Sequence, residues 1–423
     1  MKDIKSDFKD YSEKAFLFFP YSVSTEDGIF RTEEFKELSS SAGAEIVGSD
    51  YQIVRDISPA SYLGSGKLAD LKTAVAESGA SLFLFDGELS PAQARNIGDL
   101  IGKVRVVDRE QLILDIFAQR AVSAEGKLQV ELAQLTYLYP RLKGLGTSLS
   151  RLGGGIGTRG PGETQLETDR RHVRARIASL KRQLDEVMER RKLQRERRNK
   201  NDTFVVALCG YTNTGKSTLL NAVTGSSVPS ENKLFATLDP TARKFETSGF
   251  PAVMIDTVGF IRNIPTDLID AFRSTLDSVC EANLILCVAD ASGDHLRQTE
   301  ETLAVLNDLK VTAPIIKVYN KCDLISDFSN FPPDSVLISA QDGTGLGRLK
   351  TKILSYMESF YCRIRFVLHY DEIDRFFKLK RYCASAEIRY TENGAEVDAV
   401  IPRYYLNFFS SFQIIHPDAT SLR

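Results

Sequence analysis

A glycine-rich turn between a strand-like run and a helical run constrains this chain more than any other feature. Residues 204–208 are apolar, the turn reads Gly-Tyr-Thr-Asn-Thr-Gly-Lys-Ser from Gly210 to Ser217, and residues 218–221 resume a helical pattern. A G-x-x-x-x-G-K-[ST] pattern in this context is typical of a loop whose backbone N–H groups bind phosphate oxygens. Its lysine, Lys216, would reach the β- and γ-phosphates, and the serine hydroxyl would ligate Mg²⁺. An ordinary glycine turn is the alternative on this motif alone.

Three further polar motifs end predicted strands downstream, in the order that a nucleotide-binding domain requires. They read Asp-Thr-Val-Gly at 256–259, Asn-Lys-Cys-Asp at 320–323 and Ser-Ala at 339–340. The acidic group at 256 suits a contact to Mg²⁺, and the Gly259 N–H could bond a γ-phosphate and sense its loss. The Asp323 carboxylate can accept two hydrogen bonds from guanine that adenine does not offer in that arrangement. Together the motifs predict a guanine-nucleotide site.

The other residues of these motifs have supporting roles in the predicted site. Asn320 would bind the base edge or hold neighbouring loops, and the stem of Lys321 can pack on the base. Backbone N–H groups at 339–340 could meet the guanine oxygen.

A threonine downstream of the loop helix is the candidate switch residue. The stretch at 235–239 reads Phe-Ala-Thr-Leu-Asp and supplies Thr237. This hydroxyl could close over Mg²⁺ and the γ-phosphate, as a switch segment does. Thr241 competes with it for that role.

Composition and charge exclude several classes of protein. The chain of 423 residues has a formal net charge of −2, so its total charge predicts no partner. We find no apolar run of membrane-spanning length, and the N-terminus lacks the apolar core of a signal peptide. The six cysteines form no CxxC pair. This argues against a zinc site and for a reducing cytoplasm.

The pattern of apolar runs predicts four regions. Residues 1–118 alternate strand-like and amphipathic segments, which indicates a small parallel α/β domain. Residues 119–200 form a predicted antiparallel helical hairpin with a glycine-rich tip loop. Residues 201–360 form the predicted P-loop domain, an α/β fold with a mostly parallel sheet and flanking helices. Residues 361–423 are interpreted as a small α+β domain, with its clustered aromatic residues in the core rather than on a docking surface.

A second glycine–lysine turn, Gly64-Ser-Gly66-Lys67, lies in the first region. It lacks the full spacing of a phosphate loop and has no Ser or Thr after the lysine. A helix start is therefore favoured over a second phosphate loop. Asp86 closes an apolar strand nearby, and the sequence reveals no catalytic partner for it.

The second helix of the hairpin, at about 163–200, combines an apolar seam with an excess of basic residues. The seam residues alternate four and three apart, as in a coiled coil: Val173, Ile177, Leu180, Leu184 and Val187. The helix carries 13 Lys and Arg residues. A solvated charged face is one interpretation, and binding to a phosphate backbone is the one that the excess of a single sign favours.

The loop before this helix resembles a family signature. Residues 153–171 read Gly-Gly-Gly-Ile-Gly-Thr-Arg-Gly-Pro-Gly-Glu-Thr-Gln-Leu-Glu-Thr-Asp-Arg-Arg. With the nucleotide motifs and the order of regions, they make the chain similar to HflX-type ribosome-associated GTPases. The resemblance implies GTP hydrolysis with Mg²⁺ and binding to the large (50S) ribosomal subunit and its rRNA. It also implies a role in splitting or rescuing stalled ribosomes, or in ribosome biogenesis. We expect a cytoplasmic monomer.

The predicted site combines these motifs. The predicted catalytic residues are Lys216, Thr237 and Gly259, and Ser217 and Thr237 match the metal-binding positions of the family. The residues predicted to contact the nucleotide are Gly210, Tyr211, Thr212, Asn213, Thr214, Gly215, Lys216, Ser217, Thr218, Phe235, Ala236, Thr237, Leu238, Asp239, Asp256, Thr257, Val258, Gly259, Asn320, Lys321, Cys322, Asp323, Ser339 and Ala340.

Phe260 follows Gly259 at a position where many GTPases carry a water-orienting glutamine. An apolar side chain cannot align the attacking water, so we expect slow intrinsic hydrolysis that the ribosome accelerates.

Two other functions remain open on the sequence. A non-ribosomal regulatory GTPase could bind another RNA or protein through the hairpin, and co-sedimentation with 50S subunits would distinguish it. An ATP- or GTP-dependent RNA remodelling protein would use the first region, and ATP hydrolysis that survives Lys216→Ala would favour it.

Overall fold

The computed structural model describes residues 13–102, 104–142, 161–198, 203–226, 234–235, 241–262, 279–392, 394–412 and 414–417. Its contacts divide the chain into two compact units, the first formed by residues 1–184, 233–235 and 264–271 and the second by the remainder. Among the described helices, none combines the length and the apolar character that crossing a membrane requires.

The first unit opens with a four-stranded parallel sheet. Its strands are β1 (Lys14–Phe19), β2 (Glu45–Tyr51), β3 (Leu82–Phe85) and β4 (Arg105–Asp108), and its helices are α1 (Glu26–Ser41), α2 (Ser65–Ser78) and α3 (Pro91–Ile101). The strand order is β2-β1-β3-β4, and each neighbouring pair is parallel. The parallel α/β architecture predicted from the alternating pattern is therefore confirmed.

Aromatic side chains hold this sheet to its helices. Phe16 and Phe18 on β1 stack on Phe83 and Phe85 of β3, and all four are at most 4% exposed. Side chains two apart share one face of a strand, so the four rings lie together, in a core with residues of α2 and α3. Each buried ring contributes about 1.5–3 kcal/mol to the stability of the sheet.

The second glycine–lysine turn begins a helix. Helix α2 starts at Ser65, directly after Gly64, and Lys67 Nζ lies 2.6 Å from the Asp50 carboxylate. The favoured interpretation, a helix start, agrees with these contacts.

A buried ionic cluster lies at the carboxyl end of β3. Arg109, the first residue of α4 (Arg109–Arg120), donates to Asp86 at 2.8 Å and also to Glu34. The Tyr21 hydroxyl donates to the other oxygen of Asp86. Burial and the neighbouring Asp86 carboxylate raise the pKa of Tyr21. Asp86 thus has structural partners, which the sequence does not reveal because they lie 23 and 65 residues away.

Two long helices, α5 (Ala124–Arg141) and α6 (Pro161–Arg198), run antiparallel. Arg176 Nε lies 2.7 Å from Glu131, and Arg174 Nε lies 3.1 Å from the Tyr139 hydroxyl. Contacts further along α5 are therefore made with residues nearer the N-terminus of α6, as in an antiparallel pair. The tip loop predicted between them lies outside the described residues.

The second unit contains a six-stranded sheet. Its strands are β5 (Phe204–Gly210), β6 (Thr241–Thr247), β7 (Phe250–Asp256), β8 (Leu284–Asp290), β9 (Ile315–Asn320) and β10 (Val336–Leu337), and its helices are α7 (Lys216–Thr224), α8 (His295–Asp308) and α9 (Leu346–Phe360). The order is β10-β9-β8-β5-β7-β6, and only the β6–β7 pair is antiparallel. The carboxyl ends of β5, β7, β8 and β9 therefore meet along one edge, and the predicted motifs lie at that edge.

A smaller antiparallel sheet follows in the same unit. It comprises β11 (Tyr361–Leu368), β12 (Ser385–Thr391), β13 (Gly394–Pro402) and β14 (Ile414–Pro417), in the order β12-β13-β11-β14, with helix α10 (Ile373–Leu379). Tyr361 joins the two sheets, because its hydroxyl accepts from Phe204 N at 2.8 Å and donates to Pro251 O at 3.1 Å. The predicted α+β character of this region is confirmed.

We predict that Arg109→Ala loosens the first sheet strongly. The substitution leaves the buried Glu34 and Asp86 carboxylates without their cation, a change that costs about 3–5 kcal/mol. Native-state hydrogen exchange of the β1 and β3 amides measures this as a fall in the free energy of opening. The matched control is Arg105→Ala, which removes a pair with Glu13 whose side chains are 48% and 39% exposed. The control should cost no more than about 1 kcal/mol, and equal effects of the two variants would contradict the account.

Candidate nucleotide-binding site

The phosphate loop joins β5 to α7, and its two glycines adopt conformations that other residues rarely take. Gly210 has φ 155°, and a Cβ there would lie 2.0 Å from Val288 O. Gly215 has φ 83°, and a Cβ there would lie 2.3 Å from Asn320 Nδ2. The loop therefore depends on glycine at both positions, for backbone geometry and for space.

The Asn320 side chain ties this loop to a neighbouring strand end. Its Nδ2 donates to Thr214 O at 2.8 Å, and its Oδ1 accepts from Ala340 N at 2.9 Å. Asn320 is 2% exposed, so both bonds are shielded from water. Of the two roles predicted for this residue, these contacts serve that of holding neighbouring loops.

Lys216 opens α7 and is folded against its own loop. Its Nζ donates to Tyr211 O at 2.6 Å and to Gly210 O at 3.1 Å. Burial lowers the pKa of this lysine to about 8, although the nearby Asp256 carboxylate acts in the opposite direction. The ammonium is thus held by two carbonyl oxygens of its own loop, and binding to phosphate oxygens would further stabilise the charge that burial disfavours.

Ser217 and Asp256 bring two oxygen groups together next to the loop. The Ser217 hydroxyl donates to Asp256 Oδ2 at 2.6 Å, and Asp256 is fully buried at the end of β7. The following Thr257 hydroxyl donates to Leu208 O at 2.7 Å, which fixes the end of β7 against β5. Hydroxyl and carboxylate oxygens are the ligands that Mg²⁺ prefers, so this pair fits the predicted metal position.

The segment after β7 lies directly on the phosphate loop. Phe260 N donates to Gly210 O at 3.0 Å, and Thr212 N donates to Phe260 O at 2.7 Å. A Cβ on Gly259 would lie 2.8 Å from Thr212 Cα and 3.0 Å from Lys216 Nζ, so glycine permits this close approach. The Phe260 side chain is 3% exposed and is packed inside the protein.

The predicted base-binding residues follow β9. Lys321 has φ 63°, and its Nζ lies 2.6 Å from the Asp290 carboxylate. Asp323 is exposed, and its carboxylate makes no hydrogen bond with another residue in the described part of the chain. The buried Cys322 donates its N–H to Ile338 O at 3.0 Å, which fixes this turn against the end of β10. The Asp323 carboxylate is therefore presented to solvent by a rigid turn.

The two residues predicted to meet the guanine oxygen are held inside the protein. Ser339 N donates to Thr344 O at 2.9 Å, and Ala340 N donates to Asn320 Oδ1. Both N–H groups therefore already have protein acceptors, and a contact to guanine through them would compete with these bonds.

The predicted switch residues lie mostly beyond the described ranges. Ala236, Thr237, Leu238 and Asp239 fall outside the described residues. Phe235 belongs to the first unit, where its ring lies 4.6 Å from that of Phe117 and is 2% exposed.

Asp290 extends the site beyond the predicted residues, and the structure adds a detail to the predicted Thr212. Asp290 ends an apolar strand just as Asp256 does, which is a signal that the sequence contains. The Thr212 hydroxyl is buried and has no hydrogen-bond partner among the described residues. It lies on the phosphate loop, where an acceptor such as a phosphate oxygen would satisfy it.

A mostly parallel sheet, a glycine loop of this geometry and a strand-end Asn-Lys-Cys-Asp turn define a P-loop GTPase. Known proteins agree with this class. Residues 30–118, 120–198 and 205–321 match the families described as GTP-binding GTPase N-terminal, GTP-binding GTPase Middle Region and 50S ribosome-binding GTPase.

Similar proteins extend the match over most of the chain. GTPase HflX of Caldanaerobacter subterraneus is 47% identical over 371 residues, which cover 87% of this chain and 86% of that one. GTPase HflX of Lacrimispora saccharolytica is 40% identical over 405 residues, with coverage of 94% and 95%. GTPase HflX of Escherichia coli K12 is 44% identical over 350 residues, with coverage of 80% and 82%. The chain belongs to the HflX family of GTPases, and it binds GTP and hydrolyses it to GDP and phosphate.

We predict that Lys216 makes nucleotide binding depend on pH. Its pKa of about 8 rises when phosphate oxygens adjoin the ammonium, because they favour the charged form. At pH 9 the Lys216 side chain is therefore mostly neutral before GDP binds and takes up a proton when GDP binds. The affinity for GDP should consequently fall above pH 8 by up to about tenfold per pH unit. Calorimetry in two buffers of different ionisation enthalpy measures the proton uptake.

The control is Lys216→Arg, which keeps the charge throughout this pH range. Its affinity for GDP should be weaker but should not change with the titration of residue 216. Wild-type binding at pH 9 without proton uptake beyond that of the Arg variant would contradict the prediction.

Proposed function

We propose that this GTPase binds the large ribosomal subunit through the basic surface of α6, and that GTP hydrolysis controls the association. The observation that carries the proposal is the charge of residues 170–184, which contain six Lys or Arg residues and no Asp or Glu. The match of residues 205–321 to a family described as 50S ribosome-binding GTPase supports the same partner.

Part of this charge faces solvent. Arg171, Lys181 and Arg182 are exposed and form no ion pair with another described residue. Arg174 and Arg176 are engaged with α5 and help to fix the orientation of α6. An exposed, one-signed surface suits the phosphate backbone of rRNA, because each neutralised phosphate releases a condensed counterion. The partner implies a cytoplasmic location.

We propose that Mg²⁺ is held by Ser217 and Thr237, with Asp256 behind Ser217. The ion would neutralise charge on the β- and γ-phosphates. The Lys216 ammonium would bind the same phosphates, and the Gly259 N–H would bond the γ-phosphate. Loss of the γ-phosphate would remove the bond at Gly259, which is how the segment after β7 would sense hydrolysis.

Hydrolysis in this site would be slow without a partner. Phe260 is bonded to the phosphate loop through its backbone and has a buried apolar side chain, so it supplies no group to orient water. The ribosome would supply or position the missing group. We propose that the cycle serves to split or rescue stalled ribosomes or to assist ribosome biogenesis.

Reversing the charge on α6 tests the proposed partner. Arg171→Glu, Lys181→Glu and Arg182→Glu, made together, should lower the affinity for 50S subunits by at least about tenfold, because three phosphate contacts become repulsive. Co-sedimentation with 50S subunits in a non-hydrolysable GTP analogue measures the effect. The control carries the same charge change on exposed residues of other helices: Lys36→Glu, Lys72→Glu and Arg348→Glu. Equal binding by the two triple variants would contradict the proposal.

A further inference from the structure

Four aromatic rings of the C-terminal sheet region form an exposed cluster, which we call the aromatic surface. Its members are Tyr382, Tyr404, Tyr405 and Phe408. Tyr404 is 55% exposed and Phe408 is 50% exposed. Their interpretation as core residues is therefore wrong for these two positions, whereas Phe409 and Phe412, at 0% and 4%, are buried as expected.

The local helix type explains which rings are exposed. Residues 403–409 form a 3-10 helix, in which side chains three apart lie above one another. Tyr405 and Phe408 consequently share one side and stack, with ring centroids 5.6 Å apart and planes 22° apart. Phe409 lies on another side of the same helix and packs into the core with Phe366.

The cluster is continuous from ring to ring. The Tyr382 centroid lies 4.8 Å from that of Tyr405 and 5.0 Å from that of Phe408, and Tyr404 lies 4.5 Å from Tyr405. The Arg381 guanidinium lies over Tyr382, 4.8 Å from its centroid. The four rings and this cation thus form one platform, which the described protein leaves partly open to solvent.

The two segments that carry the aromatic surface are rich in basic residues, although Asp374, Glu387 and Asp398 directly flank them. Residues 375–386 and 399–412, which carry the four rings, contain five basic and no acidic residues, the basic ones being Arg375, Lys378, Lys380, Arg381 and Arg403. Tyr, Phe and Arg are also frequent at protein interfaces, so the excess of basic charge is what favours a polyanion as the partner. Basic groups next to open rings fit a polyanion whose bases can stack.

We propose that the aromatic surface binds single-stranded RNA, with bases stacked on Tyr404 and Phe408 and phosphates held by Lys380 and Arg381. A duplex keeps its base faces inside its own stack, so unpaired nucleotides are the form that this surface fits. The aromatic surface shares no residue with the nucleotide loop or with α6, and it binds RNA whether or not α6 contacts a ribosome.

Fluorescence anisotropy with the full chain loaded with GDP tests the proposal. The probes are a labelled 12-nucleotide oligouridine and a labelled 12-base-pair RNA duplex. Tyr404→Ala with Phe408→Ala should weaken single-strand binding at least about tenfold and leave duplex binding within about twofold, because only unpaired bases stack on the rings. Tyr404→Phe with Phe408→Tyr keeps both rings and should restore single-strand binding.

The matched control is Tyr390→Ala, which removes a ring that is 64% exposed near the opposite end of β12. Tyr390 lies five residues along the strand from Ser385, which is about 17 Å. The control should keep wild-type affinity for both probes. Unchanged single-strand affinity in the double Ala variant, or an equal loss in the control, would overturn the proposal. A second result would also overturn the proposal. If sedimentation velocity showed dimers only of the proteins that keep both rings, and RNA affinity did not differ among the variants, a second copy of the chain would be what occupies this surface.

Discussion

The side-chain amide of Asn320 joins the two parts of the nucleotide site, and the rest of the site depends on it. It donates to the phosphate loop at Thr214 and accepts from Ala340 at the base-binding end, with both bonds buried. Leaving either partner unsatisfied in the interior would cost about 1–3 kcal/mol, so the two loops are held in one arrangement. The same amide lies where a side chain at residue 215 would have to be, which is why that position must be glycine.

The other polar groups of the site follow the ends of neighbouring strands along the same edge of the sheet. The phosphate loop follows β5, the Ser217–Asp256 pair connects it to β7, and Lys321 is held by Asp290 at the end of β8. The segment after β7 is bonded to the loop through the backbone of Phe260, so the residues on either side of that bond, Gly259 among them, are held against the loop. Lys216 adds an electrostatic contribution at the same place. Burial disfavours its charged form, and adjacent anions such as phosphate oxygens would favour that form.

Much of this arrangement could be predicted because the signals are local. A glycine loop between strand and helix, and polar tetrapeptides after apolar runs, specify their own surroundings within about ten residues. Contacts over longer distances could not be predicted, as the Arg109 cluster shows: its partners Asp86 and Glu34 lie 23 and 75 residues away. Helix α1 begins at Glu26, because the Thr25 side chain accepts from Gly28 N and caps the helix. The exposure of Phe408 beside the buried Phe409 depends on the three-residue period of the 3-10 helix, which aromatic content alone does not indicate.

The account rests on a GTP-binding site in which Phe260 offers no polar group to orient the attacking water. GTP turnover by the purified protein, measured with and without 50S subunits under single-turnover conditions, tests this most directly. The account predicts slow hydrolysis alone and an acceleration of at least about tenfold with the subunits, since the missing group is then supplied. Equally fast hydrolysis in both conditions would contradict it.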